Sequence, residues 1–241
     1  MMDDALQIFE YLPLSFKSES EQEYINFLWD AFQSNYLAGK YQFAFLAFHM
    51  LTMSFVYFTI WQIKRMQPDN FGNALIGFES DENQLLTASS PFTFHIINER
   101  RIFRFLKLIG CKNDKIGKYK VLVDERNHAA HPNGQIRIGD QRTIDAKIVA
   151  NLKLVDEIEQ QSKPVILDCY EKFITESFDP DTREFPESLD QIKEILVHSN
   201  YFSQMDVSFC LDYDITRLST HPDFGKIQDL HNAFVAEYKR E

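Results

Sequence analysis

Residues 126–131, whose sequence is RNHAAH, bring an arginine, an asparagine and two histidines close together. Arginine offers a rigid fork of N–H donors that suits an anionic phosphate, and histidine transfers protons near neutral pH. RNA can be cut without a metal ion when its 2′-hydroxyl attacks the adjacent phosphate, which requires a base, an acid and positive charge beside the phosphorane. Arg126 is suited to the phosphate, His131 to general acid or base catalysis, and Asn127 to orienting groups or contacting phosphate. Asn127 and His131 are four positions apart and therefore share a helical face.

The same residues also have a purely structural interpretation. Arg126 can pair with Asp124, Glu125 or another acidic group, and His131 can end a helix, where the helix dipole favours a cation. His128 lies three positions before His131 and is a candidate RNA contact or second proton carrier. The sequence alone leaves both interpretations open.

The arrangement resembles the ribonuclease motif of the HEPN family, which consists of an Arg, often followed by a polar residue such as Asn, and a later His. Here four residues separate Arg126 from His131, and the motif follows two long predicted helices, as the family would place it. The resemblance covers roughly residues 20–178 and, beyond the motif, rests on the order of the helices.

The resemblance implies a HEPN-like helical bundle and a metal-independent endoribonuclease that needs no cofactor. It also implies a homodimer with facing motifs, because HEPN ribonucleases dimerise in this way and one chain supplies a single motif histidine. A prokaryotic defence or toxin role follows from the same resemblance, with an antitoxin or regulatory protein as a further partner. One HEPN subgroup carries a Tyr two residues after the motif His. Asn133 stands there in this chain, so control through that tyrosine is not expected.

The charge of the chain is unevenly distributed. Its formal net charge is −11, yet residues 99–147 contain 12 Lys and Arg against 6 Asp and Glu. A strongly acidic protein is a poor general nucleic-acid binder, but a local basic block can still form a polyanion site. Arg100, Arg104 and Lys107 lie three or four positions apart on a predicted helix and share one face, so that they are predicted, with His128, to bind RNA. The structural alternative is an ordinary solvated helix face.

The composition favours a helical globular protein. Only 8 Gly and 8 Pro occur in 241 residues, 44% of the residues are hydrophobic, and the 22 Phe are mostly spaced as in helix cores. The sequence therefore predicts an all-α fold in two parts: residues 1–178 as a HEPN-like helical domain and residues 179–241 as a small, mainly helical C-terminal extension. The acidic stretch from Phe178 to Pro186 is the predicted linker, and the alternation from Val207 to Ile215 predicts one strand.

Periodicity and capping signals place the predicted helices. Ser20 is expected to cap the first helix and Thr143 to cap a long one that reaches Gln160, with Pro164 kinking or restarting it. A short helix is expected near residues 81–87, in an otherwise loose connection. The predicted helices cover residues 21–36, 41–66, 94–109, 115–130, 143–160, 187–199 and 225–240.

The segment from Tyr41 to Ile63 contains no charged residue and is long enough to span a bilayer. Its polar residues form a slowly drifting stripe, which favours a buried central helix over a membrane span. The stripe consists of Gln42, His49, Thr52, Thr59 and Gln62. On this stripe, His49 is expected to be a hydrogen-bonded core residue rather than a catalyst. Isolated cysteines and an acidic N-terminus favour a reduced, cytoplasmic protein without a signal peptide, and no metal-ligand spacing is recognised.

A helical dimerisation or adaptor module without catalytic activity is the alternative function. The acidic balance of the chain favours it, since residues 165–241 hold 16 Asp and Glu against 7 Lys and Arg. In this interpretation the acidic C-terminal part binds a protein partner.

Overall fold

The computed structural model describes residues 2–76, 84–131 and 134–239. In these ranges it contains no β-strand, only an isolated antiparallel bridge between Pro13 and Ser203, and the predicted all-α fold class is confirmed. The α-helices are α1 (Met2–Leu6), α2 (Glu19–Leu37), α3 (Tyr41–Met66), α4 (Pro68–Ala74), α5 (Glu99–Ile102), α6 (Asn113–Ala130), α7 (Gln141–Glu176), α8 (Ser188–Gln191), α9 (Gln204–Leu211) and α10 (Phe224–Tyr238). The 3₁₀ segments cover Gln7–Glu10, Pro91–Ile96, Phe103–Ile109 and Ile215–Leu218, and a π-helical segment covers Ile192–His198.

The central element of the fold is α3, which packs against α2, α6 and α7. The polar residues of its predicted stripe find partners in neighbouring elements. Gln42 donates a hydrogen bond to the carbonyl of Ala129 (2.9 Å), and Gln62 donates one to Asp206 Oδ2 (3.0 Å). By length and composition α3 could cross a membrane, but 83% of its most apolar window is buried, as in the core helix of a globular protein.

The N-terminus of α2 differs from the prediction by two residues. Ser18, rather than Ser20, is the N-cap, since its hydroxyl accepts a hydrogen bond from the backbone N–H of Glu21 (3.3 Å). The carboxylate of Glu21 accepts in turn from the backbone N–H of Lys17 (3.2 Å). The sequence offers the same spacing in Ser20 and Glu23, but Glu21 is buried and held by further interior groups, whereas Glu23 is exposed.

α7 is a single helix of 36 residues that passes through Pro164 instead of restarting there. Its N-cap is Asp140, which accepts from the backbone N–H of Thr143 (2.9 Å), so the prediction of Thr143 as the cap is wrong. A proline inside a helix removes one backbone donor and costs about 3 kcal/mol. Burial of the two residues that follow Pro164 offsets that cost, because Val165 belongs to the main hydrophobic core and Ile166 to a second core.

The second core lies between the C-terminal half of α7 and the helices α8 to α10. It begins at Ile166, before the predicted boundary at residue 178. The C-terminal extension is therefore packed on a helix that also contributes to the main core. The predicted linker from Phe178 to Pro186 is a non-helical connection that returns the chain to this second core.

The predicted strand from Val207 to Ile215 is wrong, because residues 204–211 form α9. Over a segment this short, alternating apolar side chains are compatible with one or two helical turns as well as with a strand. Local capping decides between the two structures. Ser203 and Asp206 form a capping box: the backbone N–H of Asp206 donates to Ser203 Oγ (3.0 Å), and that of Ser203 donates to the Asp206 carboxylate (2.8 Å).

The predicted helix over residues 94–109 is interrupted. Asn98 caps α5, since its side-chain oxygen accepts from the backbone N–H of Arg100 (3.0 Å), and helical structure therefore starts again at this point. The segment ends at Gly110 as predicted, with a left-handed φ of +81°. Of the helix expected near residues 81–87, the first three residues lie outside the described residues, and 84–86 form a 3₁₀ turn. The turn expected at Asn133 also lies outside them.

Candidate functional site

The motif lies on the last turns of α6, and this helix is packed against the core of the fold. Buried residues anchor this helix: Ile116, Tyr119, Leu122, Val123 and Ala129. α6 ends at Ala130, and His131 has extended geometry (φ −73°, ψ 138°), because the proline that follows disfavours helical geometry at this position. Arg126 and Asn127 are therefore helical, whereas the exposed His131 stands at the helix end.

A cavity of about 960 Å³ lies between α2, α3, the segment 90–99 and Arg126 of α6. A cavity of this size that combines apolar and aromatic walls with a few polar groups is typical of a ligand-binding site. We call it the Arg126 cavity. Its lining includes Glu21, Tyr24, Tyr57, Phe92, Glu99 and Arg126.

Glu99 is the centre of a charged cluster in the wall of the Arg126 cavity. Its Oε2 atom forms an ion pair with Nη2 of Arg126 and lies 3.2 Å from Nε2 of His49. The side chain of His49 is 1% exposed, while those of Glu99 and Arg126 are 24% and 27% exposed. The cluster therefore connects α3, α5 and α6. The expectation that His49 is a hydrogen-bonded core residue is confirmed.

The electrostatics of the cavity are dominated by Glu99. Burial alone would raise the pKa of this carboxyl group, but the hydrogen bonds from His49 and Arg126, together with their charges, bring the pKa below its usual range. Burial also raises the pKa values of Tyr24 and Tyr57, and the nearby charge of Glu99 raises them further. Glu99 is thus a carboxylate at neutral pH, and the tyrosines beside it are neutral hydroxyls.

The second carboxylate of the cavity, Glu21, is already fully engaged. It is 5% exposed, and the hydroxyl of Ser90 donates to its Oε1 atom (2.6 Å). Tyr201 donates its hydroxyl to the same carboxylate, at 3.1 Å from Oε1 and 3.0 Å from Oε2, and the backbone of Lys17 donates to Oε2. Glu21 therefore ties α2 to Ser90, at the start of the 3₁₀ segment Pro91–Ile96, and to Tyr201 in the C-terminal part of the fold.

The structure separates the residues that the motif brings together in sequence. Arg126 lines the large cavity, whereas His128 lines a different pocket of about 220 Å³ near Arg137 and Lys147. His131 is exposed and lines neither of these cavities. Five helical steps of about 100° place the directions of Arg126 and His131 about 140° apart, which explains the separation. Asn127 is half-buried beside them.

The predicted RNA-binding residues Arg100, Arg104 and Lys107 are all exposed. Arg100 forms an ion pair with Asp124 Oδ1 of α6 (3.0 Å), so part of its charge is balanced on the surface. Arg104 and Lys107 lie on a 3₁₀ segment with three residues per turn, and they therefore stand one above the other.

Sequence patterns do not identify Glu99 as a candidate. It was one acidic residue in a basic block, and its partners come from helices 50 and 27 positions away in the chain. The only signal was the polar stripe of α3, which predicted a partner for the buried His49. Within the part of the chain that the structure describes, no group of three or more His, Cys, Asp or Glu is arranged to hold a metal ion.

Comparison of the chain with family models, with curated proteins and with solved structures found no match. The HEPN resemblance therefore rests on the motif residues and on the helices that carry them.

Proposed function

We propose that this protein is a metal-independent endoribonuclease of the HEPN type, acting in the cytoplasm in a prokaryotic defence or toxin context. The observation that carries the proposal is the position of Arg126, which lines a cavity of about 960 Å³ while Asn127 and His131 follow at the end of the same helix. Arg126 would hold the phosphate and stabilise the phosphorane, and His131 would transfer the proton.

Arg126 is suited to this role because its guanidinium group is oriented before a ligand arrives. Glu99 binds one of its terminal nitrogens, and a guanidinium group has five N–H donors in a fixed fork, so further donors face a phosphate in a defined direction. The basic residues Arg104 and Lys107 lie on the neighbouring segment and supply positive charge for the RNA backbone.

The separation of Arg126 and His131 argues for an active site shared by two chains. In-line cleavage requires an acid and a base on opposite sides of the phosphate, and one chain places a single motif histidine away from its own cavity. A symmetric homodimer with facing motifs brings the His131 of one chain toward the Arg126 cavity of the other.

An apolar side chain beside the motif supports this dimer. Phe43 of α3 is 60% exposed, and its neighbour Gln42 hydrogen-bonds the carbonyl of Ala129 near the end of α6. We expect Phe43→Asp to give a monomer in light scattering and to lose RNA cleavage. Leu189→Asp, at a residue of α8 that is 41% exposed, should leave the dimer intact. A fully active monomer would contradict the shared site.

The activity is tested with purified full-length protein and end-labelled single-stranded RNA in EDTA. We expect cleavage with 2′,3′-cyclic phosphate ends, and loss of cleavage in Arg126→Ala and His131→Ala. The chain provides matched controls in Arg217→Ala and His221→Ala, a second Arg and His pair whose spacing does not fit the motif. Strict dependence on magnesium, or equal loss in the control variants, would refute the mechanism.

The alternative is a non-catalytic dimerisation or adaptor module, and one observation favours it. Arg126 is paired with Glu99, and Glu99 with the buried His49, which is the arrangement of an ion pair that stabilises helix packing. If the protein dimerises and fails to cut RNA while Arg126→Ala merely lowers its stability, this function replaces the ribonuclease.

A further inference from the structure

The polar groups of the Arg126 cavity differ in how many further hydrogen bonds they can form with a ligand. Glu21 already accepts from Lys17, Ser90 and Tyr201, so its carboxylate has little left for a ligand. Glu99 receives both of its partners on Oε2. Among the described residues no group donates a hydrogen bond to its Oε1 atom. Glu99 is therefore the carboxylate of this cavity that can accept from a ligand.

Asn98, which precedes Glu99 in the chain, also lines the cavity. It can donate a hydrogen bond to a ligand, whereas Glu99 can accept one. Its side-chain oxygen accepts from the backbone N–H of Arg100 as the cap of α5, and this contact assigns the oxygen of the amide. The amide nitrogen is left to donate to a ligand. The cavity thus presents a donor from Asn98 beside an acceptor from Glu99.

The charge of the lining limits which part of a nucleotide can enter. The charged residues of the wall are Glu21 and Glu99 against the single guanidinium of Arg126, so an anionic phosphate is favoured only beside Arg126 and the rest of the cavity suits an uncharged group. The aromatic side chains Tyr24 and Phe92 are partly exposed in the same wall. Aromatic rings of this kind are the usual stacking surface for an unpaired nucleobase.

We infer that the Arg126 cavity binds a guanine base, with Asn98 donating to its O6 atom, Glu99 accepting from its N1–H and N2–H groups, and Tyr24 providing a stacking surface. Guanine is the base whose pairing edge presents an acceptor followed by two donors. Adenine presents a donor followed by an acceptor, and the single donor of uracil lies between two carbonyl oxygens that a carboxylate repels. The guanine can belong to an RNA substrate or to a free guanine nucleotide. The inference rests on the proposed function only in placing the ribose phosphate beside Arg126.

Equilibrium binding by calorimetry tests the base without requiring cleavage. The full-length protein should bind 3′-GMP at least about tenfold more tightly than 3′-AMP or 3′-UMP, a ratio that corresponds to about 1.4 kcal/mol. Inosine monophosphate lacks the N2 donor and should fall between GMP and AMP. Equal affinities for the four nucleotides, or no saturable binding, would overturn the inference.

Variants of the two recognition residues change the preference in different ways. Glu99→Gln should remove most of the preference for GMP, whereas Glu237→Gln should have no effect. Glu237 is a matched control, because it is also in an ion pair, with Lys193 at 2.7 Å, but lies on α10 outside the cavity. Asn98→Asp keeps a good helix cap and replaces the donor by an acceptor, so it should shift the preference toward the 6-amino group of adenine.

Tyr24 provides a second pair of variants, should Glu99→Gln disturb the fold. Tyr24→Phe keeps the ring and should retain the affinity, while Tyr24→Leu should weaken all nucleotides by a similar factor. A preference for GMP that survives both Glu99→Gln and Asn98→Asp would refute the assignment.

A competition experiment identifies the source of the guanine and separates this inference from the ribonuclease proposal. Displacement of bound GMP by a pentanucleotide RNA with one guanosine, but not by its adenosine counterpart, indicates an RNA substrate. GMP that this RNA does not displace indicates a free nucleotide. Binding of GMP without any RNA cleavage refutes the ribonuclease and keeps the guanine site. Cleavage with no guanine preference in binding or cutting refutes the guanine site and keeps the ribonuclease.

Discussion

Two buried carboxyl groups outside the candidate site lead to a quantitative prediction for stability. Glu159 of α7 and Asp206 of α9 are each 2% exposed, where the two cores meet. Asp206 Oδ2 accepts from Gln62 Nε2 (3.0 Å) and from the backbone of Ser203 (2.8 Å), which suits a carboxylate. Burial raises the pKa of Glu159 well above its usual range, and the charge of Asp206 raises it further. We therefore expect Glu159 to be the protonated partner at neutral pH.

The sign of the pH dependence follows from this assignment. The folded protein holds one proton on Glu159, which the unfolded chain releases above its ordinary pKa near 4.3. The free energy of unfolding should therefore be highest at low pH for this group and should fall by about 1.4 kcal/mol per pH unit as the pH rises toward the folded pKa.

Glu159→Gln should remove this slope, because the amide has nearly the shape of the protonated acid and does not titrate. Urea unfolding followed by circular dichroism at several pH values gives the difference between variant and wild type, in which the other titrating groups cancel. Glu157→Gln, on the same helix and partly exposed, is the control and should keep the wild-type slope. Parallel slopes for wild type and Glu159→Gln would refute the reasoning, and a flat slope only in Asp206→Asn would assign the proton to Asp206.

Two further predictions concern the motif and the basic face. Arg126→Ala should lower the free energy of unfolding by about 1–3 kcal/mol, because it leaves the partly buried Glu99 without its guanidinium partner. His131→Ala, at an exposed residue, should change the free energy of unfolding by no more than about 0.5 kcal/mol. Urea unfolding measures both variants, and equal effects would contradict the difference in burial. The side chain of Arg126 lines the cavity and is 27% exposed, whereas His131 is exposed and lines neither cavity. Reversing the charges of Arg104 and Lys107 should weaken RNA binding and reduce the slope of log affinity against log salt by about 0.7 per lost phosphate contact; an unchanged slope would remove this surface from the RNA-binding site.

Features set by local sequence were predictable. The bounds of α3 match the predicted 41–66, and α6 ends at Ala130 as expected from the following proline, because long periodic segments and proline act within a few residues. Where two local signals compete, the sequence does not choose between them. Asp140 and Thr143 are both good caps, and the structure uses Asp140, which accepts from both the backbone and the hydroxyl of Thr143.

The candidate site was only half predictable, because its contacts join distant parts of the chain. The motif identified Arg126, but the cavity that Arg126 lines is built mostly from α2, α3 and the segment 90–99. Glu99 meets Arg126 and His49 only after three helices pack together. No spacing rule within one segment contains that information. The excess of Lys and Arg around Glu99 indicated the basic residues of this block as candidates, rather than its acidic residues.

The Glu99 carboxylate also determines how phosphate and base binding depend on each other in the proposed site. It orients Arg126, but its negative charge lies within hydrogen-bonding distance of the guanidinium group. It therefore repels any phosphate that approaches the same group. Donors that bind Oε1 of Glu99 spread this charge and reduce the repulsion. A base with two adjacent donors therefore favours phosphate binding at Arg126, and a base that presents an acceptor opposes it. On this reasoning, specificity for the base and stabilisation of the phosphorane arise from the same ion pair, and Glu99→Gln should alter both together.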